Sequence, residues 1–177
     1  MRLIKNPWIG LEGYNCFGCC PTNPYGVKMC FYEDGNDVVC FWKPQEQYQS
    51  WIDTLHGGIQ SVLLDEVCGW VVSHMLKASG VTAKMETRFR KPVAISQEFI
   101  ELRAHLRKQK RNIAIVDGEI RSAEGEILAE CSCTYFTFDA AHAPEQVPYN
   151  PTETIGEELT REEVLTSLGV EGLMLKV

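Results

Sequence analysis

The chain has 177 residues, 45% hydrophobic and 23% charged, which suits one well-cored domain with a tail and excludes disordered and fibrous classes. A net charge of −7 argues against nucleic-acid binding, and no run approaches the ~18 uncharged apolar residues that suggest a membrane span. The opening MRLIKNPWIG lacks the apolar core of a secretory signal, so a cytoplasmic location is expected, with the eight cysteines as thiols or metal ligands rather than disulfides.

Residues 1–26 are rich in Gly, Pro, Asn and Cys and predict an irregular lead-in. Two short β-rich runs follow, Val27 to Tyr32 and Val38 to Trp42, around EDGN, whose Asp-Gly signals a hairpin. From Gly57 to about Lys77 no proline intervenes and apolar residues fall on every side, which predicts a buried helix about 30 Å long. Two carboxylates, Asp65 and Glu66, stand side by side in the middle of it. Burying an ionised carboxylate is costly, so their presence calls for a partner or a chemical use.

Ser79-Gly80 reads as the helix stop, after which the period changes to alternation. Val81, Ala83, Met85 and Phe89 share one face of the next strand; Lys84, Glu86, Arg88 and Arg90 take the other. Further strands are predicted at Glu98 to Arg107, Asn112 to Arg121 and Ile127 to Phe138, the last two joined by SAEGE as a hairpin. Nine of the 17 Lys and Arg lie between Lys84 and Arg111, a tract suited either to a small polyanion or to a solvated strand surface. After Asp139 comes an acidic tail, 140–177, in which Thr160 and Glu163 form a capping-box pattern for a short helix from Arg161 to about Leu168.

Hairpin-linked strands favour an antiparallel sheet, and a helix apolar all round must be covered on most sides. An α+β fold with one curved sheet wrapped around the helix meets both demands. It still leaves part of the helix open, so a second copy is expected to close it as a homodimer.

At this point HGGIQSVLLDE followed by GVTAKMETRFRKPV resembles the hotdog-fold acyl-CoA thioesterases of the PaaI-like branch. The pattern is His56-Gly57-Gly58, Leu63 seven residues after the His and an acid, Asp65, nine after it. The likeness covers Val27 to Phe138, within a domain drawn at 27–139. The lead-in CFGCCPTNPYGVKM is similar to an opening seen in many members, with Cys20 replacing Gly and Val27 replacing Leu. The resemblance implies an acyl-CoA substrate, a dimer with a joint sheet that sometimes pairs into a tetramer, and a thioester held near the start of one subunit's helix while the opposing subunit supplies the acid. No cofactor is required, since the CoA moiety arrives as part of the substrate.

The chemistry of the residues fits. Two glycines opening a helix let a ligand approach free N–H groups at the positive end of the helix dipole, so the Gly58 N–H is assigned to the carbonyl oxygen and Gly57 to the approach. Asp65, with Ser61, Val62, Gly69 and Val72 as neighbours at helical spacing, is the base or nucleophile, its pKa expected to rise in an apolar setting. Glu66 lies about 100° further round and is expected to pair with a basic residue or a partner subunit; with Ser61 it is placed among the substrate-binding residues. His56 is within reach of substrate or Asp65, and Thr82 matches a Ser or Thr that positions water in some members. Arg88, Arg90 and Lys91 are the best-placed phosphate ligands by the resemblance, with Lys108, Lys110 and Arg111 behind them. Cys16-x-x-Cys19 has no second CxxC, so no metal is expected and the cysteines are taken as packed thiols. Rival readings are a non-catalytic acyl-CoA-binding module and a hotdog dehydratase or hydratase.

Overall fold

The apolar run becomes helix α1, Gly57–Met75, in a computed structural model that describes residues 1–168; the rest of the acidic tail lies outside the described residues. His56 caps its start: the Gly58 N–H donates to His56 Nδ1 at 2.9 Å, satisfying one of the donors a helix start leaves free. The helix stops earlier than expected because Lys77 turns left-handed at φ 51°, so Ser79 and Gly80 already belong to the next strand.

Leu63, Leu64, Val67, Cys68 and Val71, at i, i+1, i+4, i+5 and i+8, are wholly buried and face the sheet. Each fully buried Leu or Val of this kind contributes about 1.5–3 kcal/mol. The opposite stripe, Ser61, Val62, Asp65, Gly69 and Ser73, is only half-buried. The helix is therefore covered on most of its circumference and open along one flank, and Asp65 stands on that flank.

The strands are β1 (Arg2–Ile4), β2 (Tyr32–Asp34), β3 (Asp37–Trp42), β4 (Ser79–Phe89), β5 (Ile100–Lys110), β6 (Ile113–Arg121), β7 (Ile127–Phe138) and β8 (Thr154–Ile155). They form one sheet in the order β4-β7-β6-β5-β3-β2-β1-β8, antiparallel throughout. This is the hotdog arrangement, a sheet around one long helix. The hairpin turn after β2 is Gly35-Asn36, with Gly35 at φ 63°. Between Val27 and Phe31 the expected strand is absent, because the backbone bonds into the lead-in instead: Val27 N–H donates to Phe17 O and Met29 N–H to Gly18 O, each at 2.8 Å.

The lead-in and the tail each add a short strand to this sheet. β1 rises out of the lead-in to pair with β2, and β8 from the tail pairs with β1. Helix α2 (Arg161–Ser167) starts on the expected capping box, with Thr160 and Glu163 bonding reciprocally. Its Val164 packs on Val39, Phe41 and Phe99, the sheet face turned away from α1. The lead-in lies over the other side. Trp8 meets Trp70 edge-on at 5.6 Å, Phe31 stacks on Trp70 at 4.5 Å, and Asn6 Nδ2 donates to Tyr14 OH and to Cys19 O. β4 is left as an edge strand of 11 residues, with Val81 41% and Phe89 51% exposed.

Candidate active site

A cleft of about 620 Å³ runs along the open flank of α1. Its floor is Asp65, Glu66, Gly69 and Trp70; β4 and β7 contribute Thr82 and Tyr135, the lead-in Trp8 and Tyr14, and the tail Val147 and Pro148. Four carboxylates line it, Glu12, Asp65, Glu66 and Glu145, and no Lys, Arg or His does so among the described residues.

Asp65 Oδ1 accepts from Thr82 Oγ1 at 2.8 Å and from Tyr135 OH at 3.0 Å; the same phenol also reaches the Asp65 carbonyl at 2.9 Å. Burial, reinforced by the charge of the neighbouring thiols and Asp65, pushes the Tyr135 phenol well above its ordinary range, so it stays a donor. Oδ2 accepts no bond among the described residues. Tyr135 was not singled out in the sequence, although it falls two places beyond Cys133 on the face that β7 turns toward α1. Its alternation was the signal that could have found it.

Glu66 has no Lys, Arg or His partner among the described residues. In place of the basic residue offered as one of its two expected partners, it meets the lead-in: Cys16 Sγ lies 3.6 and 3.7 Å from its two oxygens, and Trp70 Nε1 donates at 3.3 Å. The fit is tight enough that a Cβ on Gly18 would fall 2.2 Å from Glu66 Oε2. Burial, with the charge of Cys16 added, pushes Glu66 up to about 7. The Cys19 thiol, with backbone N–H groups of Cys19 and Gly18 behind it, holds Cys16 down at about 6. Cys19 itself is raised, first by its bond to Cys16 and then by burial.

The diglycine corner opens elsewhere. A shallow groove of about 520 Å³ at the start of α1 brings together His56, Gly57, Gln60, Phe89, Arg90 and Lys91. Gly57 leads into it beside the Phe89 ring, while the Gly58 N–H is engaged by the His56 cap. Gln60 is buried at 4% exposure, donates through Nε2 to Leu55 O and leaves its Oε1 without a partner. Ser61 Oγ donates to the Gly57 carbonyl within its own helix and lines neither cavity. Within one chain, then, Asp65 and the glycines do not meet: Asp65 is eight positions beyond Gly57 on the helix, about 12 Å along the axis.

The basic residues are divided too. Arg90 forks onto both oxygens of Glu130 at 2.7 and 2.8 Å, and Lys91 pairs with Glu126. Arg88 points into a separate groove on the outer sheet face with His105 and Arg107. Lys108, Lys110 and Arg111 are exposed around the β5–β6 hairpin, where Arg111 takes φ 53°. The eight cysteines are free thiols; Cys68, Cys131 and Cys133 form a second cluster buried between α1 and β7, with adjacent sulfurs 3.7 Å apart. No helix among the described residues is long and apolar enough to cross a membrane.

Residues 53–129 match the model of the family described as the Thioesterase superfamily. Acyl-coenzyme A thioesterase 13 of Mus musculus and of Homo sapiens are each 26% identical over 95 residues, 52% of this chain and 67% of theirs. The crystal structure of a thioesterase superfamily protein superposes with a TM-score of 0.64 at 22% identity, covering 68% of this chain and 62% of that one, less than two thirds of its length. A hypothetical thioesterase of Streptococcus pneumoniae TIGR4, solved with coenzyme A, gives a TM-score of 0.57 at 22% identity over 62% of this chain and 87% of its own. The segment 53–129 thus carries the pattern of the Thioesterase superfamily, and the fold that holds it is the hotdog fold.

Proposed function

We propose that the protein is an acyl-CoA thioesterase of the PaaI-like branch, working as a homodimer whose active site joins the α1 start of one subunit to Asp65 of the other. The observation that carries this reading is Asp65 itself: a carboxylate on the open flank of a core helix that lines the cleft, with one oxygen anchored by Thr82 and Tyr135. The separation of Asp65 from the glycines supports a site shared between chains. So does β4, a long edge strand with exposed apolar side chains, the kind of surface that a second sheet covers.

In this reading Asp65 Oδ2 takes a proton from a water, which attacks the thioester carbonyl carbon. The oxyanion that forms is met by the N–H groups of Gly57 and Gly58, the substrate oxygen displacing His56 Nδ1 from the latter. The C–S bond then breaks, releasing a free acid and the CoA thiol. Direct attack by Asp65 would use the same geometry and pass through an anhydride. CoA phosphates are excluded from the carboxylate-lined cleft, so they lie outside it, toward Arg90 and Lys91, while the acyl group enters between Trp8, Trp70 and Val147. A neutral acyl chain is favoured over one carrying its own carboxylate for the same reason.

Release of free thiol from a panel of acyl-CoA esters, measured on the whole protein and on Asp65→Asn, is the test. The variant should lose about 10²- to 10⁴-fold in kcat while binding CoA as before. Full turnover by Asp65→Asn would remove the assigned base. Binding of acyl-CoA with no thiol release by the wild-type chain would favour the non-catalytic module, and hydration of enoyl esters the hydratase.

A further inference from the structure

The wall of the cleft holds a second group of chemically active side chains that thioester hydrolysis leaves unused. We propose that Cys16, Cys19 and Glu66 form a binding site for a thiophilic divalent cation, zinc above all, which pins the lead-in to α1 and keeps a fourth coordination position toward the cleft. The absence of a second CxxC is no obstacle once the fold is known, because the third ligand comes from the helix, 50 residues further along the chain.

The geometry fits an ion. With sulfur at ~2.3 Å and carboxylate oxygen at ~2.1 Å from a tetrahedral centre, the sulfur-to-oxygen edge is about 3.6 Å. Cys16 Sγ lies 3.6 Å from Glu66 Oε1 and 3.7 Å from Oε2, and one donor atom from each of the three residues lies within 4.8 Å of the other two. Cys16 Sγ accepts the Gly18 N–H at 3.3 Å, which orients the sulfur and favours its thiolate, as outer partners do around metal-bound ligands. Glycine at position 18 leaves room for the Glu66 carboxylate where it now lies, since a Cβ there would fall 2.2 Å from Oε2. Tyr14 OH lies 3.0 Å from Cys19 Sγ, and both residues line the cleft.

Charge points the same way. Two thiols able to ionise and one carboxylate are gathered in a cleft with three further carboxylates, and no cationic side chain lines it among the described residues. Such a cluster either keeps protons it would lose in water or binds a cation. On loading, Cys16 and Cys19 release their protons to solvent and bind as thiolates beside the Glu66 carboxylate, with no change of oxidation state. Sulfur donors select zinc and similar ions over magnesium or calcium.

The experiment uses the full chain without a metal-binding tag and reads the ion rather than the activity, so it stands apart from the thioesterase reading. Metal content is measured after purification free of chelators. Co²⁺ is then titrated into chelator-stripped, reduced protein. One ion per chain is expected, with thiolate-to-cobalt charge-transfer bands and ligand-field bands of tetrahedral strength. Cys16→Ser and Cys19→Ser should abolish those bands, and Glu66→Gln, which keeps the shape and the Trp70 bond, should weaken affinity roughly tenfold or more. Circular dichroism checks that each variant is folded; if the cysteine variants are not, Glu66→Gln decides. The proposal is overturned if reduced protein shows no thiolate bands with Co²⁺, if Glu66→Gln binds as tightly as wild type, or if the bands survive both cysteine changes and vanish in Cys133→Ser, which would assign them to the buried cluster.

Discussion

Asp65 has one oxygen occupied and one open, and the two hydroxyls that hold the first decide where the second points. Tyr135→Phe removes one of them without changing volume. The expected result is a fall in kcat with KM little changed, together with a loss of about 1–2 kcal/mol in stability by denaturant titration, since a buried hydrogen bond to a charged group is given up. His56 offers the opposite kind of test. Its ring nitrogen caps α1, so His56→Ala should cost about 1 kcal/mol of stability. If His56 is only a cap, kcat stays within about tenfold of wild type; a general base would show a loss of 10²-fold or more in the same thiol-release assay. The pair Asp65-Glu66 was visible in the sequence because carboxylates in an apolar run are conspicuous, and the family resemblance singled out Asp65. Tyr135 and the contact of Glu66 with Cys16 were not, since the residues that meet lie 70 and 50 places apart.

Among the elements, α1 is the one on which the others converge. Its start carries the glycines, its middle Asp65, and its last turn His74, which is buried and tied to β2 through Glu33 at 2.7 Å and to the tail through Thr152 at 2.9 Å. Burial pulls the His74 pKa below its ordinary value, against the opposing pull of Glu33. A histidine depressed in the folded state binds fewer protons there than in the unfolded chain, so its contribution is full above the unfolded pKa near ~6.5 and lost as pH falls. Urea midpoints should therefore drop between about pH 7.5 and 5.5, and His74→Gln should flatten that dependence. A steeper slope in the variant would contradict the assignment. Periodicity gave the helix and the four strands after it, to within three residues at each end. It misplaced the segment Val27 to Phe31, where a β-rich composition was overruled by backbone bonds to the lead-in.

At the scale of the whole molecule, the proposed site requires a second subunit to complete it. Trp51 and Ile52, 82% and 92% exposed just before the diglycine, stand with Val81 and Phe89 as apolar surface that one chain leaves uncovered. If Gly57 of one subunit works with Asp65 of the other, chains carrying Gly57→Val and chains carrying Asp65→Asn should each be inactive alone. Unfolded and refolded together at equal concentration, they should recover about a quarter of wild-type activity, because half of the dimers then hold one intact site of two. No recovery, with mixed dimers demonstrated by mass spectrometry, would mean that both residues act within one chain.

The amino-acid sequence by itself determined the elements, because periodicity and capping are local properties of neighbouring residues. It also presented the diglycine and the carboxylate pair along a single helix, from which the family resemblance selected Asp65 as candidate acid. Only the tertiary structure decided that Arg2–Ile4 and Thr154–Ile155 pair in the sheet, that Arg90 and Lys91 are already paired, and that Cys16, Cys19 and Glu66 share one wall of the cleft. The reason is physical: these depend on which distant surfaces pack together, and packing is set by the burial of the whole core rather than by any short run of residues.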